Sequence, residues 1–160
     1  MKAIPRSGLL ALAIMALAVP AIAGPFEDGL AAYRRDDYAS ALKLWRPLAE
    51  LGHTEAQYIL AVVYSTGRGV PQDDAEAMKW YRKAADQGFA RAQYNLGLWY
   101  TTGRGIPQDF VSAHMWFTLA AAQGSETAQR GRDFVASQMV PDQIAEAERM
   151  ASKWLAEHQQ

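Results

Sequence analysis

The chain has 160 residues, half of them hydrophobic, a formal net charge of −1 and no cysteine. That length fits one compact domain or a short repeat array, and abundant alanine with 5 Trp and 7 Tyr favours packed helices over disorder. The balanced charge lacks the basic excess expected of a nucleic-acid binder. Without cysteine there is no disulfide framework, so helix packing alone must hold the fold.

The first segment, MKAIPRSGLLALAIMALAVPAIAG, carries Lys2 and Arg6 ahead of an apolar run from Leu9 to Val19. Pro20 breaks the run, and Ala21 and Ala23 place small residues where a signal peptidase needs them. Residues 1–23 therefore read as a secretory signal peptide cleaved after Ala23. The run is short of the roughly 20 apolar residues that a membrane span requires, so no stable span is expected after cleavage. No cysteine follows to take a lipid. The expected product is periplasmic or secreted, and residues 24–160 hold 14 basic against 17 acidic residues in a single domain.

Residues 26–51 read as a helical hairpin with a short turn between Tyr33 and Ala41. The next two segments, about 52–87 and 88–123, are copies of each other. TGRGVPQD at 66–73 returns as TGRGIPQD at 102–109, and a shift of 36 gives 18 identities in 36 positions. Such self-similarity marks a repeat architecture. Each copy reads as two helices. In the first helix Ala92, Leu96 and Tyr100 recur at i, i+4 and i+8, one face at a period of 3.6. In the second, Ala77, Trp80, Tyr81 and Ala84 form a stripe, repeated as Ala113, Trp116, Phe117 and Ala120. Asp73, Asp74 and Glu76 suit the positive end of that helix, and Arg82 and Lys83 its negative end.

The Gly-Arg-Gly stretch between the helices raises the question of a phosphate loop. Such a loop would follow a strand and carry Gly-Lys-Ser/Thr, and neither is present. The stretch reads as a connector: Gly67 ends one helix, Gly69 allows a second bend, Pro71 prevents continuation and Asp73 caps the next helix. Arg68 and Arg104 are then expected to be solvated loop residues.

The C-terminal helices, about 125–158, begin with a third copy of the first helix. Pro141 then starts a helix in which Ile144, Ala147, Ala151 and Trp154 share one face. Glu146, Glu148, Arg149, Ser152 and Lys153 make the opposite face polar. A terminal helix of this kind is expected to cover the open end of a stack. Its polar face mixes both charges, unlike the cationic face of a membrane-surface helix.

The run AQYNLGLWYTTGRGIPQD, followed by Ala113, Trp116-Phe117 and Ala120-Ala121 before Gly124, resembles the Sel1-like repeat, a relative of the tetratricopeptide repeat. The likeness covers about 52–130. The hairpin at 26–51, lacking the Gly-Arg-Gly-Val-Pro insert, looks more like an ordinary tetratricopeptide hairpin and is read as an N-terminal cap. The resemblance implies an all-α right-handed superhelix of antiparallel helix pairs, closed by N- and C-terminal capping helices, with a binding or assembly role toward a protein or peptide. A secreted, cysteine-rich branch of the family is linked to binding or hydrolysing β-lactams. This chain lacks every cysteine of that branch, so the activity is not carried over to it, and cell-wall or β-lactam hydrolysis stands only as the alternative function.

The resemblance also implies that the first helix of each pair lines the concave side. With Ala92, Leu96 and Tyr100 turned inward, Arg91, Tyr94, Leu98 and Thr101 fall opposite at 100° per residue. Their equivalents are Glu55, Tyr58, Val62 and Ser65 one unit earlier, and Thr127, Arg130, Phe134 and Ser137 one unit later. The expected partner-binding groove is therefore Tyr58, Val62, Arg91, Tyr94, Leu98, Arg130 and Phe134, an aromatic and aliphatic row with a cationic rim that suits an apolar-anchored peptide. The competing reading is that these side chains pack on the next repeat. Self-association through an end helix is the further possibility.

No site for chemistry emerges beside the groove. His53, His114 and His158 share no ligand spacing, no Gly-x-Ser-x-Gly is present, and the acidic residues sit mostly at helix starts. No catalytic residue, metal or cofactor is expected.

Overall fold

The computed structural model describes residues 24–158; the signal-peptide reading falls on residues outside that range. Among the described residues there are eight helices and no strand: α1 Pro25–Arg34, α2 Tyr38–Glu50, α3 Thr54–Thr66, α4 Asp74–Asp86, α5 Ala90–Thr102, α6 Phe110–Ala122, α7 Glu126–Ala136 and α8 Pro141–His158. The pairs α1–α2, α3–α4 and α5–α6 are hairpins, and each second helix also packs on the first helix of the next pair.

Local chemistry sets the helix ends. Asp37, Asp73 and Asp109 cap α2, α4 and α6, each accepting a backbone N–H of the first turn. Gly67 and Gly103 close α3 and α5 at φ of 71° and 72°, a left-handed conformation that favours glycine. The short turn after α1 instead puts Asp36 at φ 60°.

Between these ends, alanine lets the helices approach and the tryptophans fill what remains. Trp45 and Trp116 are essentially inaccessible, as are Leu60 and Leu96, and Ala41, Ala56, Ala77, Ala92 and Ala113 are fully buried.

Polar ties repeat with the helices. The Gln57 amide donates to the Ala49 carbonyl and accepts from Gln87; Gln93 donates to Ala85 and accepts from Gln123. Both inner glutamines are buried, so these bonds satisfy groups that would otherwise be stranded. Arg46 donates to the Tyr64 hydroxyl, and Arg82 repeats the bond to Tyr100.

The two loop arginines are exposed, as the sequence reading expects, but each is also tied by hydrogen bonds that it did not foresee. Arg68 donates to the Tyr33 hydroxyl at 2.8 Å. Arg104 grips Asp74 and the Ser65 carbonyl. Each loop is drawn onto the preceding repeat through its second glycine. A Cβ on Gly69 would collide with Tyr38, and one on Gly105 would lie 3.1 Å from Asp74 Cβ. The shift of 36 relates the two glycine contacts, Tyr38 being the counterpart of Asp74, but not the two arginine contacts, and it gives no hint of a partner 30 to 39 residues back.

The C-terminal helix covers the end of the stack on its second-helix side. Its inner face is the predicted one, with Ala147 and Ala151 buried. It lies against α6, with Trp154 edge-on to Trp116, 6.4 Å between ring centroids, and close to Gly88. The reason is in α6. Lys79 and Lys83 of α4 become Met115 and Leu119, making α6 apolar almost all round, and a helix of that kind must be covered on both sides.

Candidate partner-binding groove

Three depressions follow one another along the first helices of the pairs. The first, about 210 Å³, is framed by Leu30 and Tyr33 of α1, Trp45 of α2, and Tyr58, Ile59, Val62 and Val63 of α3. The second, about 490 Å³, keeps Tyr58 and Val62 as one wall and takes Asn95, Leu98, Trp99 and Thr102 of α5 as the other. The third, about 360 Å³, keeps Leu98, adds Tyr94 and Thr101, and is closed by Thr127, Arg130, Gly131 and Phe134 of α7. Shared walls make the three one continuous groove.

Six of the seven residues expected at the groove line it. Tyr58, Val62, Tyr94 and Leu98 are half-buried, Arg130 is exposed and Phe134 is 59% exposed. Packing fixes the tyrosines without hiding them. Tyr58 lies 5.1 Å from Phe89 and 5.9 Å from Tyr81, and Tyr94 lies 5.8 Å from Phe117, between ring centroids. The two readings of these tyrosines thus hold together, since one edge packs and the other faces the groove.

Arg91 is not part of the groove. It sits in a separate shallow depression with Glu55, Phe89 and Gln123. The 100° projection placed it by angle alone, but Arg91 is in the first turn of α5, where a side chain leans back over the preceding loop.

Other lining residues were missed. Asn95, Trp99 and Thr102 form a second column on α5, since one helix faces α3 with one side and α7 with the other. A wheel drawn for both neighbouring helices would have included them. Phe117 reaches the third depression because Gly97 and Gly131 are bare: a Cβ on either would stand 2.5 or 2.8 Å from its ring.

No carboxylate or histidine lines the three depressions. Burial raises the Tyr81 hydroxyl above its ordinary value, so it stays protonated near neutrality. Arg104, at the edge of the second depression, is neutralised by Asp74, and that hydrogen bond holds the Asp74 carboxyl below its usual range. The histidines are dispersed. His53 caps α3 and stacks on Phe26, His114 is buried in α6, and His158 stacks on Trp154. Among the described residues no group of three or more His, Cys, Asp or Glu could hold a metal ion. No helix of the described residues is long and apolar enough to cross a membrane.

The family model described as "Sel1 repeat" matches residues 21–53, 54–89 and 90–125. The likeness therefore begins earlier than residue 52, and the hairpin read as a cap is itself matched as a repeat. Among solved structures, the chain is similar to c5321, a protective antigen present in uropathogenic Escherichia coli strains that displays an SLR fold. The identity is 28% and the TM-score 0.78, over 84% of this chain and 30% of that one. It is also similar to a Sel1 repeat protein from Oxalobacter formigenes, at 37% identity and TM-score 0.64, over 68% of this chain and 85% of that one. The chain thus spans less than a third of the length of the Escherichia coli antigen. A search of curated proteins found no match. Both neighbours agree with the solenoid of helix pairs.

Proposed function

The chain belongs to the Sel1 repeat family, and from that premise we propose that it is a non-catalytic scaffold or assembly factor of the bacterial cell envelope that holds a protein or peptide in its concave groove. The observation that carries this reading is the continuity of the groove from Leu30 to Phe134, where half-buried Tyr58, Val62, Tyr94 and Leu98 and exposed Phe134 stand over buried Trp45, Trp99 and Phe117. A row of rigid apolar anchors with few charges is the composition of a protein-recognition surface. The amino-terminal signal pattern supports an envelope location, and the lack of a lining carboxylate or histidine favours binding over hydrolysis.

The test uses residues 24–160, with a Val62→Glu/Leu98→Glu variant and a Phe134→Ala variant, each shown to be folded by circular dichroism. A partner captured from envelope extract is identified, purified and titrated against each form. Binding to the wild type that both variants lose supports the groove. Equal binding by all three moves the site to the loops or helix ends. Turnover of a chromogenic β-lactam or of peptidoglycan fragments by the wild type would restore the hydrolase alternative.

A further inference from the structure

The third depression differs from its neighbour in what underlies it and in charge. Gly97 and Gly131 stand where the preceding unit has Ala61 and Asn95, and their missing side chains let the buried Phe117 ring pack up between the two helices and underlie the depression as its floor. Phe134, one of three exposed large hydrophobic residues among those described, forms its outer wall. A pocket with an aromatic floor and an uncovered aromatic wall accepts a bulky apolar side chain.

Beside that pocket is an uncompensated cation. Arg130 lines the depression and is exposed, and it takes part in none of the ion pairs among the described residues. The neighbouring Asp133 is engaged by Arg132 at 3.0 Å. No lining residue of the depression is acidic. In residues 24–160 acids outnumber bases, 17 to 14, so a free arginine on an acid-free apolar pocket runs against the charge of the rest of the molecule. A guanidinium presents a planar fork of donors that matches a carboxylate.

We propose that this depression recognises an acidic peptide segment, in which a Phe or Leu side chain enters the pocket and an adjacent Asp or Glu carboxylate meets Arg130. This rests on the reading of the groove as a peptide-binding surface and names the chemistry of its partner.

The probes are three fluorescein-labelled 12-residue peptides with the same central Phe and Leu, flanked by Asp and Glu, by Asn and Gln, or by Lys and Arg. Each is titrated against residues 24–160, the Arg130→Gln and Arg130→Glu variants, and the Phe134→Ala variant at low and at raised salt. The acidic peptide is expected to bind about fivefold more tightly than the amide peptide, an advantage that Arg130→Gln removes and that salt weakens. Arg130→Glu should invert the preference toward the basic peptide, and Phe134→Ala should weaken all peptides alike. Equal affinity for the acidic and amide peptides overturns the acidic preference; if that binding is still lost in Phe134→Ala, the groove reading survives. Failure of every peptide to bind also overturns the proposal, with the captured partner deciding the groove separately. A concentration-dependent dimer that the acidic peptide does not dissociate overturns it in favour of a second copy of the chain.

Discussion

Arg104 holds Asp74 by two bonds across a repeat boundary, Nε to Oδ2 at 3.1 Å and Nη2 to Oδ1 at 2.8 Å. The same guanidinium donates to the Ser65 carbonyl at 2.6 Å and lies 4.7 Å from the Trp99 ring centroid. Both partners are partly exposed, which screens the pair. Arg104→Lys, which cannot reproduce the planar fork, should cost about 1 kcal/mol in urea unfolding, with Arg104→Ala costing somewhat more. The folded-state Asp74 carboxyl titrates below its ordinary 3.8. Its contribution is therefore complete above that pH and is lost as pH falls through the lowered folded value. The gap between wild type and Arg104→Ala should narrow over that range; a gap independent of pH would assign the effect to stacking on Trp99.

Gly97 and Gly131 are predicted to invert a familiar rule. Replacing a mid-helix glycine by alanine ordinarily stabilises by about 0.5–1 kcal/mol. Here the new methyl would stand 2.5 Å from the Phe117 ring at position 97 and 2.8 Å at position 131. Phe117 is fully buried and cannot withdraw. Each substitution should instead destabilise by about 1–3 kcal/mol, the range of overpacking, and Phe117→Leu should relieve part of it in the double variant. Thermal unfolding of the single and double variants measures both. A rise in melting temperature for Gly97→Ala would mean the ring is free to move.

The repeat period and the pattern within it made the fold readable. Ala92 and Leu96 on one side, Gly67 and Asp73 at the ends, and Trp80 and Trp116 in register are local or periodic signals, and each occupies its expected place. The groove residues were readable for the same reason, since angle around a helix follows from spacing. Position along the axis does not, which is why Arg91 was misplaced. Contacts between repeats were also hidden: nothing local links Arg104 to Asp74 or Arg68 to Tyr33. The docking of α8 on α6 did leave a trace in the sequence, in the replacement of Lys79 and Lys83 by Met115 and Leu119. That trace lies in a difference between copies, whereas the likeness between copies defines the fold.

That difference yields a prediction for α8. Removing residues 141–160 should leave Met115, Leu119 and Trp116 facing solvent and produce an aggregating protein of lowered stability. Adding Met115→Lys and Leu119→Lys to the truncated chain restores the surface that α4 presents, so the shortened protein should become soluble and helical. Light scattering and circular dichroism of the two truncated forms decide it. Aggregation of both would mean that α8 supports more than the outer face of α6.

His114 is expected to make the solenoid sensitive to mild acid. It is 4% exposed, on α6, and its Nδ1 lies 3.4 Å from the Thr118 hydroxyl. Burial, aided by the positive charge of Arg132 on α7, lowers its proton affinity below the ordinary histidine value of 6.5, against the weaker pull of Glu148 on α8 and Asp133 on α7. Between the lowered folded pKa and 6.5 the unfolded chain binds more protons, so stability falls as pH drops below about 6.5 and levels off below the folded pKa. His114→Gln removes this titration while keeping a polar group of similar size. Urea midpoints for wild type and variant should therefore converge as pH falls from 7.5 to 5. Midpoints that stay parallel throughout would show that His114 protonates in the folded state as readily as in the unfolded one.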